Sequence, residues 1–317
     1  MSRYRIGFDV GGTNIAAAVY DEHYNMIEKA SVPFPRGKDV YFVCRVLKNL
    51  ADELVFENGV KKYDVISVGI AVPGSIDSSG ETVIDAHNLG FFDAPMLTAS
   101  KEAFSEGKEI TQNIALINDA DAACLAEHKK GVLRGATTAA LITLGTGVGG
   151  GLIINGRLFK GGRGSGVEMG HMIIEQGGER CTCGNYGCAE ALCSATWLIN
   201  QGRKNFSGMI KTLAGGNIDA VTAKIVVDCA KAGDEVALSI FNKYVESLSS
   251  FIASLVNVLD IERVAIGGGV SGAGDFLVNP IIRKVGEKSF FRTHGDIAIA
   301  EFENDAGILG AALVHEY

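Results

Sequence analysis

Proline is nearly missing from this sequence, with 5 among 317 residues, whereas glycine reaches 41. So little proline excludes a polyproline spacer, and the glycines then serve tight turns and close backbone approaches rather than linkers. Basic residues form no tract, and 29 Lys and Arg against 37 Asp and Glu give a formal net charge of −8. That balance argues against nucleic acid and against an anionic membrane as partners. The longest uncharged run, 135–156, is full of Gly and Thr and reads as strands and turns, not as a membrane helix. Asp9 interrupts the N-terminal residues before any apolar stretch long enough for a secretory signal, so a cytoplasmic protein is expected. The 7 cysteines are odd in number, which in a reducing compartment argues for free thiols plus a metal site over a disulfide framework. No G-x-x-x-x-G-K-[ST] occurs, which excludes a P-loop.

What is present suits a folded enzyme. With 47% apolar and 21% charged residues the chain can bury a proper core, and its length predicts roughly two domains. Tyr4–Phe8, Ile15–Tyr20 and Met26–Ser31 read as three strands of an antiparallel meander, with a turn at Gly11–Gly12. Helical spacing follows over Asp39–Phe56, then a strand over Val65–Val72. Near the middle the opening pattern recurs: Thr138–Leu144 is a strand, GTGVGGG a turn, and Leu152–Asn155 starts the next strand. Each half begins with strand, Gly-rich turn and strand and continues into helices, here at about Ala220–Lys231 and Asp234–Val258, which predicts duplicated α/β lobes. A strand at Val264–Ile266 runs into GGGVSG, and the apolar GILGAALVHEY is helical in pattern and is placed back on the first lobe.

Gly145-Thr146-Gly147-Val148-Gly149-Gly150 satisfies G-x-G-x-x-G. A dinucleotide site needs a helix to begin there, and the following GLIINGRLF is strand-like, so the Rossmann reading fails. Three Gly-rich turns, at Gly11–Thr13, Gly145–Gly151 and Gly267–Gly269, each follow a β-prone run and offer amides and hydroxyls to phosphate oxygens. Asp9 adds a carboxylate of the kind that a hydrated magnesium ion on two phosphates requires; the plain alternative is a turn-capping side chain. Asn118 and Asp119 fall just after a strand and just before a helix, where α/β sheets carry functional residues. Asp119 is the candidate base that accepts a hydroxyl proton during phosphoryl transfer, while one of Asp119 and Asp121 is expected merely to cap the helix.

The stretch EMGHMIIEQGGERCTCGNYGCAE holds His171, Cys181, Cys183 and Cys188, with Gly184 and Gly187 to fold the loop around an ion. A closed Cys₃His tetrahedron suits structural zinc, against the alternative of ordinary free thiols. Cys44, Cys124, Cys193 and Cys229 are read as small apolar residues.

E-x-G-H at 168–171 followed by C-x-C-G-x-x-G-C-x-E at 181–190 resembles the signature of the ROK family of bacterial sugar kinases. The similarity runs from D-x-G-G-T at Asp9 through the N-D pair at 118–119 and L-G-T-G-x-G-G-G at 144–151 to G-G-G-V at 267–270, in order and over nearly the whole chain. It implies the two-lobed actin/hexokinase-like (ribonuclease H-like) ATPase fold. The lobes would be 1–118 plus 300–317, smaller, and 119–299, larger and carrying the zinc-binding sugar loop. It implies ATP-dependent phosphorylation of a hexose at its 6-hydroxyl, with D-glucose first and N-acetylmannosamine, N-acetylglucosamine, allose or fructose as alternatives. Asn88, Asn118, Asp119, Glu168, His171 and Glu190 would bind the sugar, with Asp119 as base and His171 using its second ring nitrogen. Asp9, Gly11, Gly12, Thr13, Gly145 and Thr146 would serve ATP, Mg²⁺ and the phosphates, and Gly267, Gly268 and Gly269 the adenosine. A homodimer is also implied.

Two positions depart from the family pattern, Val167 where Gly is usual and Asp121 where Asn is common, and they leave the choice of sugar open. Some members of the family are transcriptional repressors. Here the first strand starts by Tyr4 with no helical segment before it, so no module for DNA readout is expected. A sugar sensor without catalysis is disfavoured because Asp119 and the phosphate turns are all present.

Overall fold

A computed structural model describes residues 3–105, 110–111, 113–163, 166–302 and 305–317. The chain opens with β1 (Tyr4–Val10), β2 (Asn14–Tyr20) and β3 (Met26–Pro33), then α1 (Val40–Glu57) and β4 (Val65–Val72). Three short strands follow, β5 (Ser75–Ile76), β6 (Val83–Ala86) and β7 (Phe91–Ala94), then α2 (Met96–Ser105), β8 (Ile114–Asn118) and α3 (Asp119–Lys130). Next come β9 (Thr138–Leu144), β10 (Val148–Ile154) and β11 (Arg157–Leu158). After these the chain is helical through α4 (Ala189–Cys193), α5 (Ala195–Lys204), α6 (Gly208–Leu213), α7 (Ala223–Lys231) and α8 (Glu235–Leu259). It closes with β12 (Arg263–Gly267), α9 (Asp275–Lys288), β13 (Asp296–Ile299) and α10 (Ala306–Leu313).

The duplication is explicit in the sheets. One has the order β3-β2-β1-β4-β8 and the other β11-β10-β9-β12-β13, so each sets its opening hairpin strand beside two later strands in parallel. β5, β6 and β7 make a small antiparallel sheet of their own. Side chains with N-cap chemistry start the helices: Asp39 accepts from Phe42 N–H, Thr222 from Ile225 N–H and Asp234 from Ala237 N–H.

Contacts divide the chain into two compact units: residues 1–131, 151–167 and 304–317, and residues 132–150 and 168–303. The core of the first is built from Ile6, Phe8, Ile15, Leu47, Leu54, Ile70, Met96 and Phe104, all of them buried. In the second, Leu141, Ile266, Trp197, Tyr244, Leu248 and Phe251 are buried. The C-terminal helix α10 lies in the first unit, on β1 and β4, at glycines that leave no room for a side chain. A Cβ on Gly7 would overlap the Ile308 carbonyl oxygen, and one on Gly69 that of Ala311. Gly310 sits in the same way on the Ala122 carbonyl. That contact ties α3 to the first unit, whereas the sequence division at 118/119 assigns it to the second lobe.

The Gly-rich turn after β9 is shorter than its sequence suggests, because β10 already begins at Val148. Gly150 and Gly151 are close-approach glycines in the strand: side chains there would run into the Leu141 carbonyl and the Cys124 side chain. Cys44, Cys124, Cys193 and Cys229 are all buried.

Candidate active site

In the first unit the turn between β1 and β2 is closed by the Gly11 N–H donating to Asn14 O at 2.9 Å. Gly12 packs against Asn88, whose carbonyl oxygen would lie 3.0 Å and whose Cβ 3.3 Å from a side chain placed there. Thr13 and Asn88 are exposed. The turn and Asn88 therefore lie side by side.

Asn118 ends β8 and is itself the N-cap of α3. Its Oδ1 accepts from Ala120 N–H at 2.8 Å and from Asp121 N–H at 3.1 Å, while its Nδ2 donates to Gly74 O at 2.9 Å. The cap expected of Asp119 or Asp121 thus falls to Asn118, since the residue that leaves the strand in extended conformation is the one whose side chain can turn back on the first amides. Asp121 is buried, with its carboxylate against Gly151. Asp119 is exposed at the start of the helix, where its Oδ1 accepts from Ala120 N–H at 2.8 Å.

Asp9 lies at the end of β1, with Gly307 of α10 packed on its carboxylate. Burial, together with the like charge of Asp119, pushes its pKa from 3.8 up to about 6, against a smaller opposing pull from Lys29. Lys29 is itself paired with Asp305. Two carboxylates therefore share one field, and that negative field suits a divalent cation brought in with phosphates.

A raised carboxyl pKa costs stability once the group ionises: the penalty is absent below pH 3.8 and is complete above about pH 6. The shift of about two units corresponds to roughly 3 kcal/mol as an upper figure. Asp9→Asn is accordingly expected to raise the unfolding temperature of the ligand-free protein by several degrees at pH 8 and hardly at pH 4. Thermal scans at both values check this, and an equal effect at the two would sink it.

In the second unit the turn after β9 closes through Gly145 N–H donating to Gly147 O at 3.0 Å. The start of α5 holds it from behind: Ala195 N–H donates to Gly145 O at 2.8 Å and Thr196 Oγ1 to Thr146 O at 2.7 Å. Gly268, at φ +83°, packs on the Leu144 backbone, within 2.6 Å of where a Cβ would stand. This seats Gly267, Gly268 and Gly269 beside the Gly145 turn.

His171, Cys181, Cys183 and Cys188 bring one ligand atom each to within 4.8 Å of one another. Cys183 Sγ and Cys188 Sγ are 3.7 Å apart, and Cys181 Sγ is 3.6 Å from His171 Nδ1. A zinc tetrahedron with Zn–S of about 2.3 Å and Zn–N of about 2.0–2.1 Å has S–S and S–N edges of about 3.8 and 3.6 Å, so the four residues fit that ion. His171 points Nδ1 at the cluster and has Nε2 left for another partner. Without an ion, burial and the adjacent Cys183 and Cys181 push the Cys188 thiol up to about 12, so binding of a metal releases protons. Gly187, at φ +77°, packs on the Glu175 carbonyl with no space for a side chain.

Glu190, on α4, joins this cluster to the Gly-rich turn. Its Oε2 accepts from Val148 N–H at 3.3 Å and lies against Gly147, while its Oε1 accepts from Thr182 Oγ1 at 2.8 Å and Cys181 Sγ at 3.5 Å. Glu168 is exposed just before the turn that carries His171, and His171 N–H donates to its carbonyl at 3.1 Å. Glu179 is a contributor that motif reading passed over. It accepts from Trp197 Nε1 at 3.1 Å and Gln201 Nε2 at 3.0 Å and so fastens the metal loop to α5. Its spacing to the ligands follows no motif, and only the fold brings it to Trp197.

Two sheets of the same order, each opening on a Gly-rich turn, define an actin/hexokinase-like α/β protein. A profile of the ROK family matches residues 5–316, and the chain belongs to that family. A glucokinase of Halalkalibacterium halodurans is 33% identical over 97% of this chain and 93% of its own length. An N-acetylmannosamine kinase of Escherichia coli is 30% identical over 98% and 97%. Among solved structures, a ROK hexokinase from Thermus thermophilus superposes with a TM-score of 0.84 at 29% identity, covering 98% of this chain and 97% of that one. A ROK glucokinase from Streptomyces griseus, in complex with glucose and AMPPNP, gives 0.77 at 28% identity over 99% and 100%. Among the described residues no helix is long and apolar enough to cross a membrane.

Proposed function

We propose that the protein is an ATP-dependent hexose kinase that transfers the γ-phosphoryl group to the 6-hydroxyl of D-glucose. The observation that carries this reading is the exposed Asp119 at the head of α3, beside Asp9 and in the unit that also presents the Gly11–Thr13 turn and Asn88. The glucokinase relatives, aligned over nearly the full chain, support the substrate.

Asp119 receives the O6 proton as the P–O bond to the leaving nucleotide lengthens. The transition state is loose, so orientation and late proton capture are what this carboxylate has to supply. Asn118 fixes it: the side chain that caps α3 and donates to Gly74 O holds the strand-to-helix corner rigid. The second proton of the Asn118 amide, Asn88, Glu168, Glu190 and His171 Nε2 hydrogen-bond the sugar hydroxyls. A hydroxyl missing from the wrong sugar would leave one of these groups without its partner. Gly11, Gly12, Thr13, Gly145 and Thr146 take phosphate oxygens, and Gly267, Gly268 and Gly269 let the adenosine come close to the backbone. Asp9 would hold the magnesium ion that accompanies the donor, and that ion would supply charge neutralisation. Zinc held by His171, Cys181, Cys183 and Cys188 would be structural, since four protein ligands would leave no open position. A cytoplasmic location and a homodimer belong to the same reading.

The second reading, N-acetylmannosamine phosphorylation, is favoured by the relative at 30% identity over 98% of this chain. ADP release from magnesium and ATP, measured with glucose, mannose, allose, fructose, N-acetylglucosamine and N-acetylmannosamine, decides between them. Glucose is expected to show the highest kcat/KM. Turnover only with an N-acetylated sugar would transfer the assignment, and none with any sugar would overturn it.

A further inference from the structure

α5 does two jobs in the second unit. Its first residues hold the Gly145–Gly147 turn through Ala195 and Thr196, and farther along, Trp197 and Gln201 hold the metal loop through Glu179. Any shift of this helix therefore reaches both the Gly-rich turn and the loop that carries His171.

The same Trp197 and Gln201 line a pocket of about 410 Å³ shared with α8, which contributes Glu235, Ser239, Ile240 and Lys243. Glu235, Ser239 and Lys243 recur every four residues, so they form one stripe about 12 Å long. Buried Ile240 and Trp197 supply an apolar floor. The Lys243 ammonium lies 5.9 Å from the centroid of the Trp197 ring, and among the described residues neither it nor Glu235 is in an ion pair. The pocket thus has an unpaired cation at one end, an unpaired carboxylate at the other, and a hydroxyl and an amide between them.

That pattern selects a ligand with an anion at one end and hydroxyl donors at the other, joined by a body with an apolar face. A sugar phosphate answers to it, with phosphate on Lys243, hydroxyls on Glu235, Ser239 and Gln201, and the C–H face of the ring on the floor. A hydroxyl that accepts the second proton of the Gln201 amide shares that side chain with Glu179 and so couples the pocket to the metal loop. We infer that the α5–α8 pocket is a second site, for a hexose 6-phosphate, through which the kinase's own product slows turnover. This inference rests on the kinase reading for the choice of sugar phosphate, whereas occupancy of the pocket is measured without turnover.

The chain has a single tryptophan, Trp197, so intrinsic fluorescence reports on the pocket directly. Glucose 6-phosphate titrated into the zinc-loaded protein without nucleotide is expected to give a saturable change in emission. Lys243→Met should raise the half-saturation concentration about tenfold, the loss expected for a charged hydrogen-bond partner. In turnover, the same variant should keep the kcat and glucose KM of the parent but lose inhibition by glucose 6-phosphate that does not compete with glucose. The inference is overturned by the lack of a saturable change, by one that Lys243→Met leaves unaltered, or by an equal change with inorganic phosphate or glucose alone. A saturable, Lys243-dependent change in a protein that phosphorylates none of the sugars would uphold the pocket and sink the kinase reading instead.

Discussion

Asp119→Asn is expected to lower kcat with glucose by about 10²–10⁴-fold, the range for loss of a positioned general base, while glucose binds within a few fold of the parent. The substitution keeps the corner between β8 and α3 intact, because the cap is Asn118 and the bond from Ala120 N–H can still be accepted. What it removes is the negative charge that, in the proposed mechanism, receives the O6 proton. It also removes the like charge that helps to raise the Asp9 pKa, so the variant should be no less stable than the parent at pH 8. Single-turnover phosphorylation separates the chemical step from binding, and calorimetry with glucose measures the latter. Turnover within tenfold of the parent would place the base elsewhere.

The second large effect concerns the metal loop. Cys183→Ser replaces the one exposed ligand of the cluster and so costs the least packing, yet it opens the tetrahedron. Activity with glucose is expected to fall by about 10³-fold or more, with nucleotide-analogue binding kept within a few fold and zinc content reduced. The reason is the wiring of Glu190: its Oε1 is held by Thr182 and Cys181 from the loop, and its Oε2 by Val148. Much of residues 173–186 is exposed, so little apolar burial remains to order that stretch once the ion has left. Full activity of protein shown to be zinc-free would end the structural-metal assignment.

The strongest periodic elements could be read from sequence almost to the residue. β4 over Val65–Val72 and β9 over Thr138–Leu144 have the expected bounds, and α8 is shifted by one residue at each end from Asp234–Val258. Those elements are long and either fully apolar or strictly periodic, which is where local pattern and burial agree. The small sheet β5-β6-β7 could not be read, because strands of two to four residues show no alternation and depend on pairing with one another. In the glycine run 149–151, close-approach glycines look like turn glycines until the Leu141 carbonyl and Cys124 are known to lie behind them. Within the site, ligand spacing alone found the Cys₃His cluster. The bridge made by Glu190 and the strut made by Glu179 were out of reach, since each joins segments that only the fold brings together.

The position of α10 has a consequence for synthesis on the ribosome. Gly7 on β1, Gly69 on β4 and the Ala122 carbonyl on α3 all receive their packing partners from Ile308, Ala311 and Gly310, which emerge long after them. At about 5–20 residues per second, the lag between residue 131 and residue 305 is on the order of 10–30 s. For that interval the nascent first unit holds an unplugged seam along β1 and β4. The seam is apolar and it flanks Asp9, so premature termination between residues 131 and 305 would leave a sticky chain whose Asp9 lacks its contact with Gly307, a natural client for chaperones.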